Sequence, residues 1–246
     1  MSYRSALRNY VHSTPKDLGS DVLLNESEHC ITIFDKFPKA MFHFLILPKL
    51  SENITANVTM NLSTFLRWDK RGALEYLQYM KGDAETAKSM IEDEMMKQHG
   101  FKWNILIGFH AVPSMDHVHL HVLSSDLCSS ALKKKHHYNS FRPDLGFFLH
   151  LDDVLKWLDL PTATPFSKGP TFESKAAIPA QKYEPLLKKD LECFKRNGTK
   201  RKPSAGGVTS ARGPAVREEA TYDSKDNVSL IDMSLPRQPE LTRAYI

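Results

Sequence analysis

Four histidines lie close together near the middle of the chain: His110, His117, His119 and His121. The last three alternate with apolar residues, a pattern that predicts a β-strand over 117–124. Successive side chains of a strand point to opposite faces, so we expect these three imidazoles to line one face of a sheet. Imidazoles gathered on an accessible face can transfer protons, attack an electrophile or bind a metal ion.

Phosphorus transfer is the chemistry that this arrangement favours. A neutral imidazole can attack phosphorus and form a covalent phospho-histidine, which splits one difficult displacement into two steps. His119 is central, and a ring at His117 or His121 could hydrogen-bond its other nitrogen and fix its tautomer. A lysine or the backbone amides of a turn would stabilise the charge on the phosphoryl oxygens.

Three other interpretations stay open on these residues alone. A metal site needs additional ligands, but only Asp116 stands close by, with no cysteine or glutamate beside the strand. A structural histidine cluster or a chance match of the alternating pattern would carry no chemistry.

Hydrophobic periodicity predicts the elements that must position the histidines. Strands are expected over 29–35, 42–48, 103–111 and 117–124, and helices over 3–11, 62–99 and around 152–158. The long helix is expected to break at Gly82–Asp83 and to end at Gly100. The order strand, strand, helix, strand, strand indicates an α+β fold with a mostly antiparallel sheet and flanking helices.

Composition places the protein in a reducing compartment. The chain has 246 residues, 41% of them hydrophobic, and a formal net charge of +4, which is compatible with a polyanionic partner. Its three cysteines are far apart and odd in number, as expected of free thiols. We expect neither a membrane span nor a signal peptide, and a location in the cytosol or nucleus.

The motif His117-Val118-His119-Leu120-His121-Val122-Leu123 resembles that of the histidine-triad superfamily of nucleotide hydrolases and transferases. Three further stretches resemble the aprataxin branch of DNA 5′-adenylate hydrolases, and they are 37–40, 108–115 and 133–141. The likeness runs from the start of the chain to about residue 150, with a fainter continuation to about residue 195. It implies a histidine-triad fold.

The resemblance also implies an activity, the removal of AMP from 5′-adenylated DNA ends through a histidine–AMP adduct. His119 matches the nucleophile, His117 and His121 match the residues that orient it and hold the phosphate, and His110 matches the acid that assists the leaving DNA phosphate. Lys39 matches the lysine that neutralises the phosphoryl charge.

Binding residues follow from the same resemblance. It implies nucleotide contacts from Asp35, His43, Ser114 and Met115, and DNA contacts from Tyr3, Arg4, Lys133, Lys135, His137 and Tyr138. Some alternatives stay open: Asp35 could simply form a turn, His43 could be a buried core histidine, and Tyr3 could merely pack on the domain.

The chain departs from the family near its C-terminus. Many aprataxins end in a zinc finger, but the expected Cys-x-x-Cys appears here as Cys193-Phe194-Lys195-Arg196, and no cysteine or histidine follows. We therefore expect no metal and no cofactor. We predict a catalytic domain with its N-terminal helix over 1–160, a linker and finger remnant over 161–197, and a disordered basic and polar tail over 198–246.

Two alternative functions remain beside DNA deadenylation: hydrolysis of small nucleotides such as an AMP-lysine phosphoramidate or a dinucleoside polyphosphate, and DNA-end binding without chemistry. The predicted partners are nicked or 5′-adenylated DNA ends and RNA–DNA junctions, with AMP as product. The resemblance implies a monomer. A basic cluster over 188–202 could bind phosphates or act as a nuclear import signal, and we expect a nuclear location, with a cytoplasmic one as the alternative.

Overall fold

A computed structural model describes residues 3–194 and contains a six-stranded antiparallel sheet. Its strands are β1 (Leu23–Glu26), β2 (Cys30–Phe34), β3 (His43–Pro48), β4 (Ile105–His110), β5 (Leu120–Ser124) and β6 (Phe148–His150). Their spatial order is β1-β2-β3-β5-β4-β6. The predicted α+β class with a mostly antiparallel sheet and flanking helices is thereby confirmed.

Helices cover the sheet and pack into its core. They are α1 (Ala6–His12), α2 (Leu62–Trp68), α3 (Lys70–His99), α4 (Lys135–Asn139), α5 (Leu151–Leu158), α6 (Phe172–Ala176) and α7 (Ala180–Tyr183). Every residue of β3 is buried, because apolar side chains cover both of its faces. Phe44 and Ile46 join the large core with α3, whereas Leu45 and Leu47 pack in a smaller cluster with Leu7 of α1.

The helical stretch over 62–99 does break into two helices, but not at the predicted place. The break lies at Asp69, whose extended backbone ends α2 and whose carboxylate accepts a hydrogen bond from the Gly72 amide at 2.8 Å. Gly82 lies inside α3, since one glycine costs a helix only about 1 kcal/mol and core packing overrides that penalty. Gly100 ends α3 in the left-handed conformation, as predicted.

The sheet differs from prediction at its edges and at the histidine strand. The short edge strands β1 and β6 were not predicted, because three or four residues carry too little periodicity. Strand β5 begins only at Leu120, so the predicted strand over 117–124 was three residues too long. Gly108 lets β6 approach, since a Cβ there would lie 2.4 Å from the Leu149 carbonyl oxygen.

The described residues up to Leu191 form one compact unit, which therefore includes most of the predicted linker. The rest of the finger remnant beyond Phe194 and the predicted tail over 198–246 lie outside the described residues. The predicted domain boundaries stay predictions. Among the described residues, no helix is long and apolar enough to span a bilayer.

Candidate active site

Three neighbouring strands bring the histidines together around one cavity. His43 begins β3, His110 ends β4, and His121 lies in β5 between them, paired with Leu45 and Gly108. The cavity has a volume of about 240 Å³. Its lining includes Tyr3, Asp35, Phe37, Lys39, His43, His110, Val112, Ser114, Met115, His119, His121, His136, His137, Ser140, Phe141, Phe147 and Leu187.

His119 has the geometry of a nucleophile. It is buried, and its Nδ1 donates a hydrogen bond to the backbone carbonyl of His117 at 2.8 Å. Because the proton is then on Nδ1, the lone pair of Nε2 remains available to the cavity. Burial lowers the pKa of His119 below its usual value, against the opposing effects of the His117 carbonyl and Asp35. The ring is therefore neutral near pH 7, as nucleophilic attack requires.

The expectation that His117 shares a face with His119 and His121 was wrong. His117 precedes β5 and has a φ of 87°, which removes it from strand geometry. Its fully buried ring bonds the Pro48 carbonyl at 2.9 Å and does not line the cavity. His117 thus orients the central histidine through its main-chain oxygen, whereas we expected its ring to do so.

Several contacts hold this unusual backbone. The His117 amide donates to the Met60 carbonyl at 3.2 Å, and the Val118 amide donates to the Thr59 carbonyl at 2.6 Å. A non-glycine residue at positive φ is strained and persists only where surrounding contacts enforce it. Here these two amide hydrogen bonds fix the direction of the His117 carbonyl, which accepts the hydrogen bond from His119.

A second hydrogen-bond chain sets the tautomers of His43 and His121. The Lys39 amide donates to His43 Nδ1 at 3.1 Å, so His43 carries its proton on Nε2. That nitrogen lies 2.9 Å from His121 Nδ1, which must accept, and His121 Nε2 then carries a proton. Among the described residues this Nε2 has no partner, so its N–H is available to a phosphate oxygen in the cavity.

These tautomers argue against a metal ion among Asp35, His43 and His121, although their ligand atoms lie within 4.8 Å of one another. A metal needs the lone pair of a ring nitrogen. The His43 Nε2 that faces this trio carries a proton, and the lone pair of His121 Nδ1 accepts that proton. Burial lowers the pKa of His43 to about 4, so the pair is held together by neutral hydrogen bonding.

The ring of His110 lies in an apolar part of the same cavity. Its Nε2 has no partner among the described residues. Phe141 packs against the ring with centroids 4.5 Å apart. Burial, together with nearby His119, lowers the pKa of His110 well below its usual value, so the ring is neutral near pH 7. The predicted acid therefore lacks its proton before substrate enters.

Lys39 and the predicted nucleotide-binding residues also reach the cavity. The ammonium group of Lys39 donates to the Phe37 carbonyl, and burial lowers its pKa while Asp35 opposes that shift. Asp35 does form a turn, accepting from the Phe37 amide at 2.7 Å, yet its carboxylate also lines the cavity. Ser114 and Met115 line it as well.

The predicted DNA-binding residues divide into two groups. Tyr3, 63% exposed, and His137 line the cavity. Arg4, Lys133, Lys135 and Tyr138 do not. The Arg4 side chain lies 3.4 Å from the Asp116 carboxylate, and Lys135 lies 3.6 Å from that of Asp190, while Lys133 is exposed.

Several lining residues were not singled out from the sequence. Phe141 packs against the rings of His43, His110 and His121 at 5.3, 4.5 and 5.2 Å between centroids. It belongs to the stretch over 133–141 that carries the family resemblance, which was the available signal. Leu187 lies far along the chain, and no sequence pattern placed it at the site.

Comparison with known proteins agrees with this fold. Residues 7–137 match the family described as scavenger mRNA decapping enzyme C-term binding. The "Aprataxin-like protein" of Saccharomyces cerevisiae is 32% identical over 166 residues, which cover 63% of this chain and 75% of the yeast protein. Aprataxin of Danio rerio is 32% identical over 136 residues, or 54% of this chain.

A solved structure described as Hnt3 in complex with DNA and guanosine matches with a TM-score of 0.53 and 27% identity. The match covers 78% of this chain and 85% of Hnt3. The chain spans only 36% of the length of the zebrafish protein. By the family match, the yeast relative and the shared fold, the chain belongs to the aprataxin-like family of histidine-triad proteins.

Proposed function

We propose that the protein hydrolyses 5′-adenylated DNA ends and releases AMP through a covalent histidine–AMP intermediate. One observation carries the proposal: neutral His119, with the lone pair of its Nε2 available, shares a cavity with Lys39 and with the His121 N–H, which has no partner within residues 3–194. A nucleophile and two groups that stabilise negative charge are what displacement at phosphorus needs.

In the first step, His119 Nε2 attacks the phosphorus of the AMP moiety. The P–N bond forms as the bridging P–O bond breaks, and the DNA 5′-phosphate leaves. The His121 N–H and the Lys39 ammonium stabilise the non-bridging oxygens. The negative substrate raises the pKa of neighbouring His110, so this ring can gain a proton in the complex and give it to the leaving phosphate.

In the second step, water attacks the same phosphorus and the P–N bond breaks. His110, again neutral, accepts the water proton on its free Nε2. AMP leaves, and His119 recovers its lone pair. The same ring thus acts as acid and then as base, a cycle that its unpartnered nitrogen supports.

The surroundings of the cavity favour a DNA substrate over a small nucleotide. Tyr3 presents an exposed ring at the cavity, where a terminal base could stack on it. Lys133 and Lys134 are exposed close to α4, where phosphates of a DNA strand would be neutralised. The match to Hnt3 solved with DNA supports the same substrate.

Release of AMP from a 5′-adenylated nicked duplex, compared with release from AMP-lysine, tests the proposal. We expect a kcat/KM at least tenfold higher for the DNA, since base stacking contributes ~1–3 kcal/mol and phosphate contacts add to it. Faster turnover of AMP-lysine would reject DNA as the substrate. An adenylated RNA–DNA junction in the same assay would show whether such ends are also processed.

We also propose a nuclear location, because the substrate is DNA and because Lys188 and Lys189, at the start of the predicted import signal, are exposed. Imaging of the tagged chain with both lysines replaced by glutamine tests this. Unchanged nuclear accumulation would exclude these two residues from the signal.

A further inference from the structure

Residues 184–190 form a segment that we call the strap. It begins as a 3-10 turn over Glu184–Lys188 and packs beside α4. The strap is far from the histidines in sequence, yet Leu187 lines the catalytic cavity. The neighbouring Leu186 points elsewhere and lines a separate surface groove with Trp157 and Tyr183.

Two buried polar side chains hold the strap. The Asn139 amide nitrogen donates to the carbonyls of Leu187 and Lys189 at 3.1 and 2.7 Å, and this side chain has no solvent exposure. Arg142, 1% exposed, donates to the Asp190 carbonyl at 3.1 Å, while the Asp144 carboxylate neutralises its guanidinium. Buried donors of this kind are expensive to leave unpaired, so the contacts fix the strap firmly.

The two residues between these anchors face the histidines. Ser140 lines the catalytic cavity, and its backbone raises the pKa of His110 against the effect of burial. The Phe141 ring lies 4.5 Å from that of His110 and 5.2 Å from that of His121, centroid to centroid. Within residues 139–142, the outer pair therefore holds the strap, and the inner pair, Ser140 and Phe141, contacts the catalytic cavity and its histidine rings.

We propose that the strap is a wall of the active site that positions His110 and His121 through residues 139–142 and excludes water at Leu187. Asn139 and Arg142 are positioning residues, since they reach the reacting groups only through Ser140 and Phe141. This inference rests on the proposed hydrolysis. It assigns a function in the active site to a segment that sequence alone marks as a linker.

Three single substitutions in the full chain test the wall. In Leu187→Ala, kcat on adenylated nicked DNA should fall about tenfold with little change in KM, since misplacement of reacting groups by about 1 Å is enough for such losses. Leu187→Met keeps the side-chain volume and should recover most of the activity. Leu186→Ala is the matched control, because it removes the same atoms from a half-buried leucine outside the cavity.

Asn139→Asp tests the anchor, because it replaces the donor by a carboxylate facing two carbonyl oxygens. We expect kcat to fall about 10- to 100-fold, and its pH profile to change because the neighbouring Ser140 backbone, which raises the pKa of His110, would move. Leu186→Ala should keep the wild-type profile. If Asn139 had only a structural role, Asn139→Asp and Leu186→Ala would both lower the melting temperature, and neither would change the pH profile of kcat.

The outcomes separate this inference from the proposed function. Wild-type protein inactive on adenylated DNA would refute the function, and the same variants would then be compared on AMP-lysine. Active wild-type protein in which Leu186→Ala and Leu187→Ala lose activity equally would overturn the strap as a wall. Should Asn139→Asp fail to fold, the leucine pair still decides.

Discussion

The floor of the cavity and its rim are built in opposite ways. On the floor, hydrogen bonds engage both ring nitrogens of buried His43 and one ring nitrogen each of buried His119 and His121. We call the exposed residues outside this floor the rim: Tyr3, which lines the cavity at 63% exposure, and Lys133, which is exposed in the loop before α4 and does not line the cavity. The floor can therefore hold reacting atoms in fixed positions, whereas the rim can only attract phosphates and stack on a base.

This difference separates chemistry from affinity. Fixed tautomers in a water-poor site act on the transition state, so floor substitutions should lower kcat. Exposed cations and rings act equally on ground and transition states, so rim substitutions should raise KM and respond to salt. The effects of substitutions on kcat and on KM therefore distinguish floor residues from rim residues.

Loss of the nucleophile should have the largest effect. His119→Ala should lower kcat on adenylated DNA by roughly 10⁴-fold or more, as removal of a nucleophile does in other covalent enzymes. Its Kd for nicked DNA, measured by fluorescence anisotropy, should stay within about threefold, because His119 lies below the rim. Residual deadenylation near wild-type rates would remove His119 from its assigned role.

Lys39→Met should lower kcat by about 10²- to 10³-fold, the usual effect of removing one group that stabilises a developing negative charge. Single-turnover kinetics at saturating DNA measure it. Lys36→Met is the matched control, since Lys36 is exposed in the same turn and does not line the cavity. Equal losses in both variants would show that general charge, not position, matters.

Stability should fall as the solution is acidified, because buried neutral histidines resist protonation. Burial lowers the pKa of His117 to about 4, below its unfolded value, so its contribution is complete above about pH 6.5 and is lost as pH falls towards 4. Between pH 7 and 5 this one group should cost about 2 kcal/mol, or roughly thirtyfold in the unfolding constant.

Urea unfolding of His117→Asn at both pH values isolates this term. Asparagine tolerates positive φ and removes the titrating ring. The variant should show the smaller loss of stability on acidification. An identical pH dependence in both proteins would mean that His117 does not titrate as its burial requires.

Tyr3→Ala should raise KM for adenylated nicked DNA about tenfold, within the ~1–3 kcal/mol of one base–aromatic stack. Hydrolysis of AMP-lysine should be unaffected, because that substrate has no end base. Tyr3→Trp should restore the lower KM. A lower kcat with an unchanged KM would contradict this, because it would mean that Tyr3 acts on the chemical step and not on DNA binding.

The smallest effects belong to Lys133, in the loop before α4, and to Lys135, the first residue of α4. Lys133→Gln and Lys135→Gln should each weaken DNA binding about threefold and reduce the salt dependence by about one ion per lost phosphate contact. Lys168→Gln, at another exposed lysine, serves as control. A salt slope unchanged from wild type would place the DNA backbone elsewhere.

Sequence predicted the groups of the floor better than their connections. Strand alternation and family resemblance brought His119, His121, His110 and Lys39 to one place. They failed at His117, because a positive φ ends strand geometry there and no side-chain pattern reports a backbone angle. The sequence therefore led us to expect that the His117 ring fixes the His119 tautomer, whereas the His117 backbone carbonyl does so.

Long-range contacts were the other gap. Leu187 reaches the cavity because Asn139 and Arg142 hold the strap, and such pairing has no local periodicity. Similarly, Asp69 ends a helix where Gly82 does not, since capping and core packing together outweigh the propensity of a single residue.

The most direct test of the account is to trap the intermediate. Purified protein mixed with 5′-adenylated nicked DNA and quenched without acid should carry AMP, which adds the mass of an adenylyl group to the peptide that contains His119. The adduct should form and decay with turnover, and should be absent in His119→Ala. Full deadenylation with no adduct at any time point, or an adduct on another residue, would contradict it.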